Sequence, residues 1–175
     1  ASEPGYVGTI FYIVHHIVVK ANLFLVAAIV FRLTGSYDLR RSGGLYAARP
    51  GLALLFAVPA LSLVGIPPLS GFWAKLLVIR ETLAQGRYGL AFVALLVGLL
   101  TLYSMTKFFF GAFWQTHPER AWAPPADARL GPAYAATAAL ALVTLYFGLA
   151  PEGLLRFAEL AADQLAAAPP GEGAR

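Results

Sequence analysis

Four long apolar stretches, separated by polar connectors, dominate the pattern of hydrophobic and polar positions along this chain. They cover residues 6–33, 52–83, 88–114 and 130–149. A lipid hydrocarbon core of about 30 Å is crossed by roughly 20 apolar residues of helix, so each stretch is long enough to span it. The pattern therefore predicts an all-α integral membrane protein with four transmembrane helices.

The composition supports a membrane protein and excludes several other kinds of protein and site. The chain is 59% hydrophobic and only 13% charged, whereas an average soluble domain has about 25% charged residues. There is no cysteine, which excludes disulfides and thiolate metal sites. The net charge of +4 does not indicate nucleic-acid binding, because the arginines gather in connectors and form no basic face. We expect a lipid bilayer as the environment, no nucleic-acid partner, and no metal or cofactor site.

The second stretch is too long for a simple span and carries a helix-breaking motif. As one straight helix its roughly 32 residues would reach about 48 Å. It contains Gly65, Pro67, Pro68, Ser70 and Gly71 in close succession. Two prolines remove two backbone donors, and the glycines permit sharp turns. We therefore predict a discontinuous helix, broken at Gly65–Gly71. Such breaks mark ion sites in transporters, although a simple proline kink is the alternative.

All three lysines of the chain, Lys20, Lys75 and Lys107, lie inside apolar stretches, whereas the arginines lie in connectors, at stretch ends or in the tail. Arginine stays charged, but a desolvated lysine can lose its proton. Placing a lysine in the membrane costs roughly 2.5–3.5 kcal/mol on insertion scales. The three lysines are therefore candidate proton carriers.

A proton relay is predicted from the spacing of these residues. Lys75 follows one turn after the helix break. His16 and Lys20 are four residues apart and so share one helix face, whereas His15 points elsewhere. Lys107, near the end of the third stretch, is weaker, since it can equally extend to the membrane surface. Two structural alternatives remain: His16 as a packing histidine, and Lys75 extending to an interface.

Charge distribution predicts the orientation in the membrane. Connectors 34–50 and 115–129 are rich in arginine, which places both in the cytoplasm and both ends of the segment outside. After the spans of residues 1–150, residues 151–175 divide into an interfacial amphipathic helix and a disordered tail from Pro169.

Counter-charges for the buried lysines are missing from the spans. The one acidic residue within the four stretches is Glu81, at the end of the second, where we expect a surface ion pair with Arg80. A further part of the polypeptide, or a neighbouring subunit, must then supply the opposite charge. The chain also lacks a starting methionine, so we expect a piece of something longer.

Three segments carry a resemblance to a known family. They are the run from His16 to Leu25, the connector from Thr34 to Leu45, and the motif from Gly65 to Lys75. Together they resemble the C-terminal third of antiporter-like proton-translocating subunits. Within that family the similarity is greatest to the D subunit of multisubunit Mrp-type sodium/proton antiporters, followed by subunits of respiratory complex I and of membrane-bound hydrogenases.

The resemblance implies a fold of about fourteen helices with two inverted repeats, each containing a discontinuous helix. This chain corresponds to the second repeat. Lys75 would lie on the discontinuous helix and His16 and Lys20 on the helix before it, linking an internal polar axis to an exit. The family's N-terminal glutamate and its first broken-helix lysine have no counterpart here.

The function implied is that of a transporter subunit and not of an enzyme. It would work without a cofactor in a bacterial cell membrane, with other antiporter subunits as partners and with protons and sodium as cargo. Two alternatives stay open: a proton-pumping subunit of an NADH-quinone oxidoreductase or membrane-bound hydrogenase, and a non-conducting assembly segment.

Overall fold

The computed structural model describes residues 2–119, 122–125 and 130–167, and helices make up most of them. Within these ranges seven α-helices follow one another: α1 (Glu3–Thr34), α2 (Leu45–Ala48), α3 (Pro50–Val64), α4 (Ser70–Ala84), α5 (Tyr88–Phe109), α6 (Gly131–Leu149) and α7 (Glu152–Ala167). A 3-10 turn lies at Leu39–Arg41, and α5 continues into a π-helical turn at Phe110–Trp114. The predicted all-α class is confirmed.

Among the described residues, three helices are long and apolar enough to cross a membrane: α1, α5 with its π-helical turn, and α6. The remaining predicted span, over residues 52–83, is divided between α3 and α4. Each of these two helices is about 22 Å long, so only the pair together has the length of a span. The predicted discontinuity of the second stretch is thus confirmed, and its crossing of the membrane as a fourth span stays a prediction.

Helix α1 is the central element, against which α3, α4, α6 and α7 pack. The Ser2 hydroxyl accepts a hydrogen bond from the Gly5 amide (3.3 Å) at its start. At its end Gly35 adopts a left-handed conformation (φ 71°), and its amide donates to the Phe31 carbonyl (2.7 Å). These two caps satisfy backbone groups that a helix leaves unpaired at its termini.

The helix break lies between Val64 and Ser70. Gly65 ends α3 in the left-handed region (φ 97°), with its amide donating to Leu61 and Ser62. Helix α4 begins at Ser70, so Gly71, which we expected in the break, is helical. Gly71 is needed because a Cβ there would overlap the Ser62 carbonyl oxygen. The α3 end and the α4 start can approach only with glycine at this position.

The described parts of connectors 34–50 and 115–129 meet at one end of the helix bundle. The Gly44 amide donates to the Gln115 carbonyl (2.6 Å), and Trp122 packs beside Gly44. The two connectors therefore lie at the same end of the bundle, and their side of the membrane stays a prediction. Arg120 and Arg129, which contributed to that prediction, lie outside the described residues.

The opposite end joins the start of α1 to the end of α4. The Glu81 carboxylate accepts hydrogen bonds from the Ser2 hydroxyl and from the Gln85 amide. The expected ion pair with Arg80 is therefore wrong. Neighbouring residues on a helix point in different directions, so Glu81 reaches across to α1 instead.

Helices α6 and α7 both pack against α1. Helix α6 ends beside the break, where the Trp73 indole donates to the Gly148 carbonyl (2.9 Å). Helix α7 is amphipathic as predicted, and its buried Leu154 and Ala158 pack on Phe11 and Ala74. Its location at the membrane interface stays a prediction, and the predicted disordered tail lies outside the described residues.

Candidate proton-relay site at the helix break

Lys75 lies in the second turn of α4 and reaches back to the end of α3. Its Nζ donates a hydrogen bond to the Val64 carbonyl (2.6 Å). This carbonyl belongs to the last turn of α3, where the helix can supply no partner of its own. The side chain is half-buried, and a Cβ at Gly65 would come within 2.8 Å of Lys75 Cδ. Gly65 therefore makes room for the lysine to approach the carbonyl end of α3.

Two cavities meet at Lys75. One, of about 390 Å³, is lined by residues of α3, α4 and α5, including Phe72 and Gly98. The other, of about 250 Å³, lies between α1, α4 and α5 and is lined by Tyr12 and Val78. Lys75 is the one charged side chain in either lining. Because Lys75 lines both, its amine can turn from the Val64 carbonyl toward either one.

A second polar group, built on His15, fixes the other side of the break. His15 Nδ1 lies 2.8 Å from Ser70 Oγ, and Ser70 Oγ lies 3.1 Å from Ser62 Oγ. The Gly71 amide donates to the same Ser62 hydroxyl (3.2 Å). His15, Ser62 and Ser70 are all buried. This network joins α1, α3 and α4 where the discontinuous helix loses its own backbone hydrogen bonds.

His15 is the residue that sequence reasoning missed. The prediction favoured the face shared by His16 and Lys20, and His15 lies off that face. Its spacing from Phe11, Val19 and Asn22, which are all buried on α1, was the available signal. Intervals of three and four residues place them on one stripe, which faces the other helices.

His16 and Lys20 lie one turn apart, as predicted, but on a more open face of α1. His16 is half-buried and Lys20 is exposed. The His16 ring stacks on Tyr12 (ring centroids 5.5 Å apart), and Tyr12 also lines a cavity with Lys75. The described contacts include no direct contact between Lys20 and Lys75. Tyr12, which the sequence did not single out, thus contacts His16 and lines the same cavity as Lys75.

Lys107 does not join this group. It is exposed and lies near the end of α5, one turn before the π-helical turn. That position is at the end of the bundle where connectors 34–50 and 115–129 meet. The structure thus brings Gly65, Ser70, Gly71 and Lys75 together at the break and leaves Lys107 apart.

Comparison with known proteins gives a consistent result. Residues 1–107 match the family model described as NADH:quinone oxidoreductase/Mrp antiporter, TM. The D subunit of the Na(+)/H(+) antiporter of Alkalihalophilus pseudofirmus is 44% identical over 160 residues, which cover 90% of this chain and 32% of that protein.

Two solved structures share the fold. In the Mrp complex from Dietzia sp. DQ12-45-1b, one chain matches with a TM-score of 0.83 and 32% identity, covering 95% of this chain and 39% of its own length. In respiratory complex I from Thermus thermophilus with bound NADH, the TM-score is 0.71 at 29% identity, covering 93% of this chain and 34% of the other.

The similarity thus extends over nearly all of this chain, which spans about a third of the length of the relative from Alkalihalophilus pseudofirmus. The resemblance noted from the three sequence segments is confirmed. The chain belongs to the NADH:quinone oxidoreductase/Mrp antiporter transmembrane family and is a multi-pass membrane segment of it.

Proposed function

We propose that this chain is the C-terminal part of the D subunit of a multisubunit sodium/proton antiporter, in which it moves protons through the membrane. The observation that carries the proposal is the position of the Lys75 amine, on the Val64 carbonyl and between two cavities. A titratable amine at a broken helix is the arrangement by which transporters hold an ion at membrane depth. The similarity to the D subunit of the Na(+)/H(+) antiporter of Alkalihalophilus pseudofirmus supports it.

The relay begins with protonated Lys75 bound to the Val64 carbonyl. The protonated amine leaves that carbonyl, turns toward the cavity lined by Tyr12 and there gives its proton to water. That water passes the proton to His16, which is stacked on Tyr12, and Lys20, one turn further along α1, completes the path. Imidazole suits this step because it gains and loses a proton near neutral pH. Lys107 is the weakest member of the proposed relay, because it is an exposed residue near the end of the bundle where the two connectors meet.

The remaining parts of the antiporter complex lie outside this chain. Other antiporter subunits, and the further two thirds of the polypeptide, supply the carboxylates that the spans lack. The complex acts as a secondary transporter, without catalysing a reaction, in the cell membrane of a bacterium. Connectors 34–50 and 115–129 face the cytoplasm, because their arginines follow the positive-inside rule.

A second function is favoured by the likeness to respiratory complex I. In that case the same lysines would pump protons under the drive of a redox reaction in partner subunits. The site on this chain would be unchanged, and only the energy source would differ. Transport driven by a sodium or pH gradient alone, with no electron donor, separates the two functions.

The experiment uses vesicles that contain the complete complex. Sodium efflux coupled to a pH gradient is measured for the wild type, Lys75→Ala and Lys20→Ala, with assembly checked by native electrophoresis. We expect assembled complexes with transport reduced about a hundredfold in Lys75→Ala, the scale of losing one positioned proton-transfer group. Assembled Lys75→Ala complexes that transport at the wild-type rate would disprove the proposal. Loss of assembly in both variants would instead favour the scaffold function.

A further inference from the structure

Helix α1 carries a second polar residue on its buried stripe. His15 and Asn22 are seven residues apart, two helical turns or about 10 Å. His15 has Ser70 as its partner. Asn22 is 0% exposed, and neither its amide nitrogen nor its carbonyl oxygen has a hydrogen-bond partner among the described residues.

Helix α6 faces α1 with a stripe of small and polar residues. Thr137, Ala141, Thr144 and Gly148 are buried at intervals of three or four residues. The Thr144 hydroxyl donates to the Leu140 carbonyl of its own helix (2.9 Å). The Thr137 hydroxyl is equally buried but has no partner within the described part of the chain. The two threonines therefore differ in one respect: the Thr144 hydroxyl has a hydrogen-bond partner, and the Thr137 hydroxyl has none among the described residues.

Contacts at both ends of α6 fix its register against α1. Gly148 packs against Leu69, whose neighbour Ser70 bonds to His15. At the other end of α6, Leu130 belongs to the same apolar cluster as Val26 and Leu33. The two helices therefore run antiparallel, with the first half of α6 beside the second half of α1.

From this register we infer that Asn22 lies at about the level of Ala141, since Ala141 is seven residues before Gly148 and Asn22 is seven residues after His15. Thr137 then lies one turn, or about 6 Å, further toward the connector end. Tyr134, three residues beyond, has a buried hydroxyl that also lacks a partner among the described groups. The residue of α6 at the level of Asn22 is therefore a small one, Ala141.

We propose that Asn22 and Thr137 bind ordered water between α1 and α6, and that this hydrated stripe extends the polar path from His15 toward the connector end. Buried polar groups in proteins are nearly always bonded to protein or to internal water. Because both residues are fully enclosed by this chain alone, lipid and neighbouring proteins do not reach them. The role of this hydrated stripe in proton conduction rests on the proposed function, but the water site itself does not.

The test compares Thr137→Val with Thr144→Val in the complete complex. The two changes are the same in shape, helix and burial, and only the first removes a hydroxyl that needs an outside partner. Asn22→Leu is a second variant of similar volume. Transport is measured in vesicles, and water near residues 22 and 137 is sought in a high-resolution structure of the wild-type complex.

We expect water density bridging Asn22 and Thr137. Transport should fall about tenfold in Thr137→Val and Asn22→Leu, the size of one lost hydrogen bond, and stay near wild type in Thr144→Val. A direct bond between the Asn22 and Thr137 side chains with no water would overturn the inference, as would equal transport in both threonine variants. If a variant fails to assemble, the presence or absence of water density at residues 22 and 137 in the wild-type structure decides whether the inference holds. Wild-type transport by Lys75→Ala would refute the proposed function without affecting the water site.

Discussion

His15 and Ser70 join α1 to the first residue of α4, with 2.8 Å between the imidazole Nδ1 and the hydroxyl oxygen. Both side chains are almost completely buried. A helix broken inside a membrane must find partners for its polar groups within the protein. This pair, extended by the Ser62 hydroxyl, holds the α4 start in place while Lys75 occupies the other side of the break.

Ser70→Ala should destabilise the complex. It leaves His15 and Ser62 without their shared partner in a buried site, which costs about 1–3 kcal/mol. The measurement is the melting temperature of the purified complex, which should fall. Ser104→Ala is the control, because Ser104 is exposed and bonds only to the Leu100 carbonyl of its own helix. Equal melting temperatures for the two variants would contradict this function of Ser70.

Gly71→Ala should disrupt the packing of α3 against α4 at the break, although it adds only one methyl group. The added Cβ overlaps the Ser62 carbonyl oxygen, a backbone atom that cannot move aside cheaply. Overpacking of this kind costs about 1–3 kcal/mol or more, and we expect reduced assembly on native gels. Gly89→Ala on α5 is the matched control, since nothing lies within 4 Å of its Cβ position. A Gly71→Ala complex as abundant as the control would count against the close approach of α3 and α4.

Tyr12→Leu should slow transport, because it removes the ring that stacks on His16 and lines the Lys75 cavity. Aromatic pairs contribute about 0.5–1.5 kcal/mol beyond burial, which corresponds to roughly two- to tenfold in rate. Tyr12→Phe keeps the ring and should lie closer to wild type. Efflux rates in the same vesicles provide the measurement, and a Tyr12→Leu rate equal to wild type would remove Tyr12 from the path.

Trp73→Phe should loosen the end of α6 beside the break. It removes the indole hydrogen bond to the Gly148 carbonyl (2.9 Å) and retains an aromatic ring, at a cost of about 1 kcal/mol. Hydrogen exchange of the backbone amides near Gly148 should become faster. Trp114→Phe, at an exposed site, should leave that exchange unchanged, and faster exchange in both variants would show that the effect is not local.

The break was predictable from sequence because its causes are local. Pro67 and Pro68 act on their own backbone, and Gly65 provides the left-handed conformation that ends α3. The position of Lys75 in the next helix follows from counting residues. These features need no knowledge of how helices pack.

The polar contacts across helices were not predictable in the same way. Which α1 residue meets Ser70 depends on the register of α4 against α1, and the sequence pattern favoured His16 over His15. The partner of Glu81 depends likewise on which helix ends lie together. The bond from Trp73 to Gly148 required α6 to end beside the break, which its apolar sequence does not indicate.

The central claim, that Lys75 releases and regains a proton, is tested most directly by Lys75→Arg. Arginine keeps the positive charge and can still donate to the Val64 carbonyl, but it does not lose its proton at physiological pH. Sodium efflux driven by a pH gradient is measured in vesicles with the complete complex. The account predicts a normally assembled complex with efflux reduced about a hundredfold. Efflux at the wild-type rate in Lys75→Arg would contradict it.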